Sequence, residues 1–344
     1  VYGQRSANFI LQNCDALVCI GTRLAIPQIG YNIQDFARHA KILSVDIDEN
    51  ELLKFGKKIN YPVKCDAKIF LSLILQNKQQ LSSNEKFNSW IGFCKELKKN
   101  YPIMENDIHD DAVHSKGIYI NSYKFIKRME KYLTKKQIIV TDMGTALLTT
   151  HYGLNLKSKQ RLITSTGLGE MGYGLPAAIG AAIASKKEVV CLNCDGGMML
   201  NLQELQTIVH YDLPIKIFIF NNDGYLMIKH TQKALFNGRY VGTNKDSGVS
   251  CPDFTKIAKA FEMDAFQIRS WKDFDKNIEK IMKSKKPLIC EVFTDPEQPF
   301  LPKLSVVRNS DGSLHSPELD DLSPLVDRSD FEKITNLKVK YKIQ

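Results

Sequence analysis

Two apolar runs, EVVCLNC at 188–194 and IKIFIFNND at 215–223, flank the helix-patterned stretch NLQELQTIVHY at 201–211. Near-continuous apolar runs of this length read as strands buried on both faces. Parallel strands need a crossover, usually a helix, and a right-handed crossover returns the chain to the same edge of the sheet. Asp195 closes the first run and Asn222 follows it by 27 residues, closing the second. Both residues therefore converge on the carboxyl edge, where open α/β sheets take their ligands.

An aspartate, an asparagine carbonyl and a main-chain carbonyl are hard oxygen donors, suited to Mg²⁺ or Ca²⁺ rather than zinc. Gly196 and Gly197 let backbone approach closely and turn N–H groups toward an anion. Gly144, Gly167 and Gly169 mark two further loops at strand ends on the same edge. Taken singly, Asp195 reads as a helix cap and NND as a polar turn. At crossover spacing the pair reads instead as a metal corner beside a diphosphate cradle. CLNC is the only C-x-x-C, and no second pair of ligands stands at zinc spacing. On a strand Cys191 and Cys194 would also point to opposite faces.

The same alternation runs through the rest of the chain and implies an α/β fold of two doubly wound parallel-sheet domains, covered on both faces. Residues 1–80 carry ALVCIGTR, AKILSVDID and YPVKCDA as strands, with helices after the second and third. Residues 81–117 are polar and strand-poor, an expected linker with one helix. There His109 and His114 stand near Asp107, Asp110 and Asp111, a solvated acidic stretch before it is a metal site. Residues 118–300 hold QIIVTD, RLITST and the Gly-rich GLGEMGYGLPAAIGAAIA, and PLICEVFTD is the last clear strand. Residues 301–344 read as a loop-like tail.

Composition excludes several classes. No run of 18 apolar residues suggests a membrane span, and VYGQRSANFILQN has no signal-peptide pattern. The net charge of +9 comes from lysines interleaved with acids, without the arginine stripe or basic–aromatic weave of nucleic-acid binders. Such a surface suits an anionic small molecule. The eight cysteines are scattered through apolar runs, as expected of buried free thiols in a reducing, cytoplasmic compartment.

CDGGMMLN…NND, preceded by GLGEMGYGLPAAIGA, resembles the diphosphate-binding domain of thiamine diphosphate (ThDP) enzymes, in particular the acetolactate synthase group. The resemblance spans nearly the whole chain, with 1–80 similar to the Rossmann-like middle domain, here starting late, and 118–300 to the cofactor domain. It implies that Asp195, the Asn222 side chain and the Gly224 carbonyl bind Mg²⁺. Gly144, Thr145, Gly196 and Gly197 would lie against the diphosphate, with Tyr225 nearby. The Gly169 carbonyl and Met171 amide would hold the aminopyrimidine, and the Met171 side chain would wedge the cofactor into its bent form. Met227 would line the substrate pocket. The implied reaction removes CO₂ from a 2-keto acid such as pyruvate and joins the remaining fragment to a carbonyl acceptor.

The sequence departs from that pattern at three places. Cys194 replaces the usual glycine before the aspartate, and Thr145-Ala146 replace a Gln-His pair. Thr231, in GYLMIKHTQ, stands where the synthases carry a substrate-shaping tryptophan. A wider, more polar pocket keeps simple 2-keto acid decarboxylation open beside acetolactate formation. YLMIKHTQ…FNGRYVGTN and PKLSVVRNSDGSLHSPELDDLSP are similar to relatives in surface-sugar pathways, so carboligation in sugar biosynthesis stays open too. An inactive scaffold that kept the fold is the non-enzyme alternative. For FAD, Arg5, Gly21, Arg23, Asp46 and Asp66 stand in matching positions of the middle domain. LAIPQ after Arg23, however, lacks the acidic and basic residues of the flavin-binding members. In the family a preceding pyrimidine domain supplies the activating glutamate from a neighbouring subunit. The chain is therefore expected to belong to a longer enzyme, a homodimer or homotetramer, and to be inactive by itself.

Overall fold

The computed structural model describes residues 3–80, 86–105, 109, 119–308 and 311–335. The chain divides into two compact units, Val1–Ile103 with Leu301–Gln344, and Met104–Phe300.

The first unit is built on a three-stranded parallel sheet of β1 (Ala16–Ile20), β2 (Lys41–Asp46) and β3 (Tyr61–Lys64), in that order. The helix Glu49–Leu53 is capped by Asp48, which accepts from Asn50 N, and the helix Ala67–Gln76 by Asp66, which accepts from Lys68 N and Ile69 N. A small core forms from Cys19, Leu24, Ile29, Phe36, Ile42 and Ile59. Val18 on this sheet is 57% exposed, and the helix Ala67–Gln76 has no fully buried side chain.

The described residues of the expected loop-like tail, 301–308 and 311–335, pack into this unit and include a helix. Leu319 packs into the β1–β2 core and Arg5 donates to Leu322 O at 2.8 Å. The helix Arg328–Thr335 lays Phe331 and Ile334 against the buried Phe9, Phe93 and Leu97. The helix Lys86–Asn100, expected within the linker, contributes two of those residues.

The second unit is a six-stranded, wholly parallel sheet: β4 (Ile138–Thr141), β5 (Arg161–Ile163), β6 (Val189–Cys194), β7 (Ile215–Asn221), β8 (Asp264–Ile268) and β9 (Leu288–Phe293). Their spatial order is β5-β4-β6-β7-β9-β8. β4 has its sequence successor β5 on one side and β6 on the other, so the direction of winding reverses between β4 and β6. That switch point leaves a crevice outside the strand ends. β6 is buried at every residue, and the two faces of the sheet feed two cores. Cys191 sits in one core and Cys194 in the other, the opposite facing that excluded a paired zinc site. No group of three or more His, Cys, Asp or Glu able to hold a metal occurs among the described residues. None of their helices is long and apolar enough to cross a membrane. His109 is buried, packed edge-on against Tyr123 and tilted against Tyr152; residues 107, 110, 111 and 114 lie outside the described residues.

Candidate functional site

β4 and β6 run in register with Thr141 opposite Leu192, and β6 and β7 with Cys194 opposite Phe220. The residues leaving these three strands therefore meet at the switch point. Asp195 opens a short helical turn, Asp195–Met198, and is wholly buried. Its Oδ1 accepts Gly196 N at 2.8 Å, and its Oδ2 accepts both Asn222 N and Gly224 N at 3.0 Å. Burial pushes its pKa up to about 6, and the N–H groups of Gly224, Gly196 and Asn222 pull against that rise. A buried carboxylate so placed gains most from a cation.

Asn222 supplies the second donor. Its Nδ2 donates to Thr145 Oγ1 at 2.9 Å, and its Oδ1 is buried with no hydrogen-bond partner among the described residues. Buried side-chain oxygens are nearly always bonded, so an unbonded one beside a buried carboxylate points to a missing ligand. Gly224 adopts φ +126°, and a Cβ there would lie 2.2 Å from Thr243 O. Only glycine makes this turn, which Tyr225 N closes by donating to Thr243 O at 2.8 Å. The corner thus assembles one carboxylate, one free amide oxygen and the Gly224 main chain, a set of oxygen donors suited to Mg²⁺. The residues fit the metal.

A cavity of about 200 Å³ opens beside this corner. It is lined by Gly144, Thr145, Gly196 and Gly197 together with Asp195, Asn222 and Gly224, and by Gly169, Met171, Tyr225 and Met227. Gly144, at φ +96°, turns β4 into the helix Thr145–Gly153. Gly196 is sandwiched: a Cβ there would meet the Tyr225 ring at 2.2 Å and Met171 Cε at 3.4 Å. The loop bearing Gly169 and Met171 is pinned by Gly169 N donating to Ser165 O and Asn201 Nδ2 donating to Gly172 O. Cys194 also lines the cavity, its sulfur accepting Ala146 N at 3.3 Å. Burial holds its thiol well above the ordinary range, so it is a neutral filler.

Thr231 does not line this cavity. It lies exposed on the helix Leu226–Leu235, one turn beyond Met227, with its hydroxyl bonded back to Met227 O. Met143, Leu226 and Ile228 line the cavity without having been singled out by sequence, being plain apolar positions next to those that were. Asp142 was read only as the end of a strand. It is buried, and its Oδ1 accepts Gly174 N at 2.9 Å.

Of the flavin candidates, Gly21 follows β1 at φ +58° with open space around it, and Asp46 ends β2 and accepts Asp48 N. Asp66 is engaged as a helix cap and Arg5 is buried, whereas Arg23 is exposed and pairs with Glu51 at 3.3 Å.

Two family models match the chain: the C-terminal TPP-binding domain of thiamine pyrophosphate enzymes over residues 142–292, and the central domain of the same enzymes over residues 1–74. Among curated relatives, a probable acetolactate synthase large subunit of Methanococcus aeolicus is 31% identical over 313 residues, covering 86% of this chain and 50% of that protein. The acetolactate synthase large subunit of Cyanidium caldarium is 31% identical over 309 residues, 89% of this chain and 50% of its own. The acetolactate synthase isozyme 1 large subunit of Escherichia coli (strain K12) is 30% identical over 303 residues, 88% and 51%. The chain spans about half the length of the curated relatives it matches.

Proposed function

The chain belongs to the thiamine pyrophosphate enzymes, and from that premise we propose that it is the cofactor-binding part of a ThDP- and Mg²⁺-dependent carboligase acting on a 2-keto acid, pyruvate first. The observation that carries the reading is the unpartnered Asn222 Oδ1 beside the buried Asp195, at the switch point of the matched domain. The names of the relatives support the acetolactate synthase branch.

In this reading Asp195, Asn222 Oδ1 and the Gly224 carbonyl hold Mg²⁺. Gly144, Thr145, Gly196 and Gly197 lie against the diphosphate at the starts of helical turns, where backbone N–H groups favour an anion. The Gly169 carbonyl and the Met171 amide orient the aminopyrimidine, and Met171 and Tyr225 press on the cofactor from either side of Gly196. When bound, ThDP supplies a carbon nucleophile for the keto carbonyl and a sink for the electrons released with CO₂. Met227 and Ile228 form the apolar wall that keeps water from that carbon. Thr231 stands at the motif position where the synthases carry a tryptophan, and that departure supports a carboligase of different acceptor range as the second reading.

For the first unit, flavin and no flavin are both carried forward. Gly21 and Asp46 at the carboxyl edge of its sheet support FAD, whereas the exposed, Glu51-paired Arg23 supports none. Visible flavin absorbance of the purified protein decides between them. The activity is tested on the complete gene product with pyruvate, Mg²⁺ and ThDP, following CO₂ and identifying the carbon product. Acetolactate supports the synthase reading, and acetaldehyde a decarboxylase. Bound cofactor with no CO₂ from any 2-keto acid would sink the carboligase proposal.

A further inference from the structure

Asn222 is only 4% exposed, yet its amide is asymmetrically satisfied: Nδ2 is held by Thr145 Oγ1 at 2.9 Å, and Oδ1 is unbonded. The two ends of an amide have nearly the same shape, so packing alone does not decide which end faces the cavity. The partner that binds one end decides it. Thr145 is well placed for that. It is 3% exposed, follows Gly144 at the start of the helix Thr145–Gly153, and its own carbonyl is bonded by Thr149 Oγ1 at 2.7 Å. Its β-branched side chain has few rotamers to choose from.

We propose that Thr145 is the positioning residue of the metal corner: by accepting the Asn222 N–H it turns Oδ1 toward the cation, and it couples cation binding to anion binding. The coupling follows from the chemistry of one hydroxyl. A hydroxyl can accept from Nδ2 or donate to Oδ1, so by itself it tolerates either facing of the amide. No described residue claims the Thr145 proton, and Thr145 lines the cavity. An anion in that cavity draws the proton to itself, which leaves only the lone pairs for Asn222 and so locks its oxygen toward the metal. Each ligand then raises the affinity of the other by the same factor, as linkage requires. This role presupposes the magnesium–diphosphate reading and adds to it the residue through which the two ligands communicate.

The experiment titrates Mn²⁺, as a spectroscopic stand-in for Mg²⁺, into the full chain by electron paramagnetic resonance, with and without inorganic pyrophosphate. Thr145→Val keeps the shape and removes the hydroxyl. It is expected to weaken Mn²⁺ binding about tenfold, the scale of one buried hydrogen bond to a metal ligand, and to reduce the gain from pyrophosphate to the part that direct contact of anion with cation supplies. Thr145→Ser restores both to within about threefold. In an Asn222→Asp background both side-chain atoms are oxygens, so adding Thr145→Val costs less than about threefold. Thermal melts establish that each variant is folded, and Thr145→Ala replaces the valine variant if that one is not. Wild-type affinity and coupling in the hydroxyl-free variant overturn the inference, as does an equal loss in the natural and the Asn222→Asp backgrounds. Asp195→Ala is run alongside. If it too keeps the cation, the metal reading itself has failed; if it alone loses the cation, only the role of Thr145 has.

Discussion

Asp142 and Gly197 are in such close contact that no side chain at 197 could share the space: a Cβ built on Gly197 would lie 1.8 Å from Asp142 Oδ2. The other oxygen of the same carboxylate accepts Gly174 N at the start of the helix Gly174–Ser185. Burial raises the Asp142 pKa, against the N–H groups of Gly174, Gly172, Met143 and Tyr173. One buried carboxylate therefore bonds the start of the helix that follows the Gly169–Met171 loop through Oδ1, and packs its Oδ2, which has no hydrogen-bond partner among the described residues, against the turn bearing Gly196 and Gly197.

Gly197→Ala should for that reason destabilise the second unit by about 1–3 kcal/mol, the usual cost of overpacking, and weaken ThDP binding. Gly180→Ala is the control. Its Cβ meets nothing within 4 Å, and alanine favours a helix interior by up to about 1 kcal/mol. Denaturant melts of both variants check the pair. Equal stability of the two would show that Asp142 yields freely.

Stability of the first unit should fall as pH rises from about 5 to about 7. Burial pushes Asp320 up to about 7, although Arg38 lies 2.6 Å away, because that guanidinium is shared with Asp35 and Glu318. The folded pKa lies above the ordinary carboxylate value, so across this interval the folded chain still holds a proton that the unfolded chain has already released. The contribution is complete below the unfolded pKa and is lost as pH rises through the folded one. Asp320→Asn should flatten the dependence in thermal melts between those pH values; an unchanged slope would assign it to another group.

Thiol labelling should separate the cysteines cleanly. Burial pushes Cys14 up to about 11 and Cys251 to about 12, Cys191 and Cys290 are wholly buried, and Cys194 is buried with its thiol held well above the ordinary range. At pH 8 a thiol at 12 is thiolate in only about one molecule in ten thousand. Iodoacetamide at that pH should therefore spare these five in the native chain, whereas all eight react in the denatured one. Rapid native labelling of Cys194 would mean that the strand end at the cavity opens.

How much of this was legible in sequence depended on burial. β6 and β7 are near-continuously apolar because both faces are covered, so their runs, the crossover and the meeting of Asp195 with Asn222 could be read directly. β8 escaped because DAFQI is a short edge strand with an exposed first residue and a pattern too weak to stand out. The helix Arg328–Thr335 escaped because Phe331 and Ile334 alone mark its packed face. Thr231 was placed in the substrate pocket by a motif position alone; on its helix the last residues to line the cavity are Met227 and Ile228, about one turn earlier. Asp142 could not be recognised, since its role depends on Gly174 and Gly197, more than thirty residues away in sequence and adjacent only in the fold.

The most direct measurement is calorimetric titration of ThDP into the chain, with Mg²⁺ present or chelated, for the natural sequence and for Asp195→Ala. Saturable binding that requires Mg²⁺ in the natural chain, and is weakened at least about 100-fold in the variant, is the expected result for a carboxylate that holds the metal itself. Magnesium-dependent binding of equal affinity in both would contradict the assignment of Asp195, Asn222 and Gly224 as the metal corner.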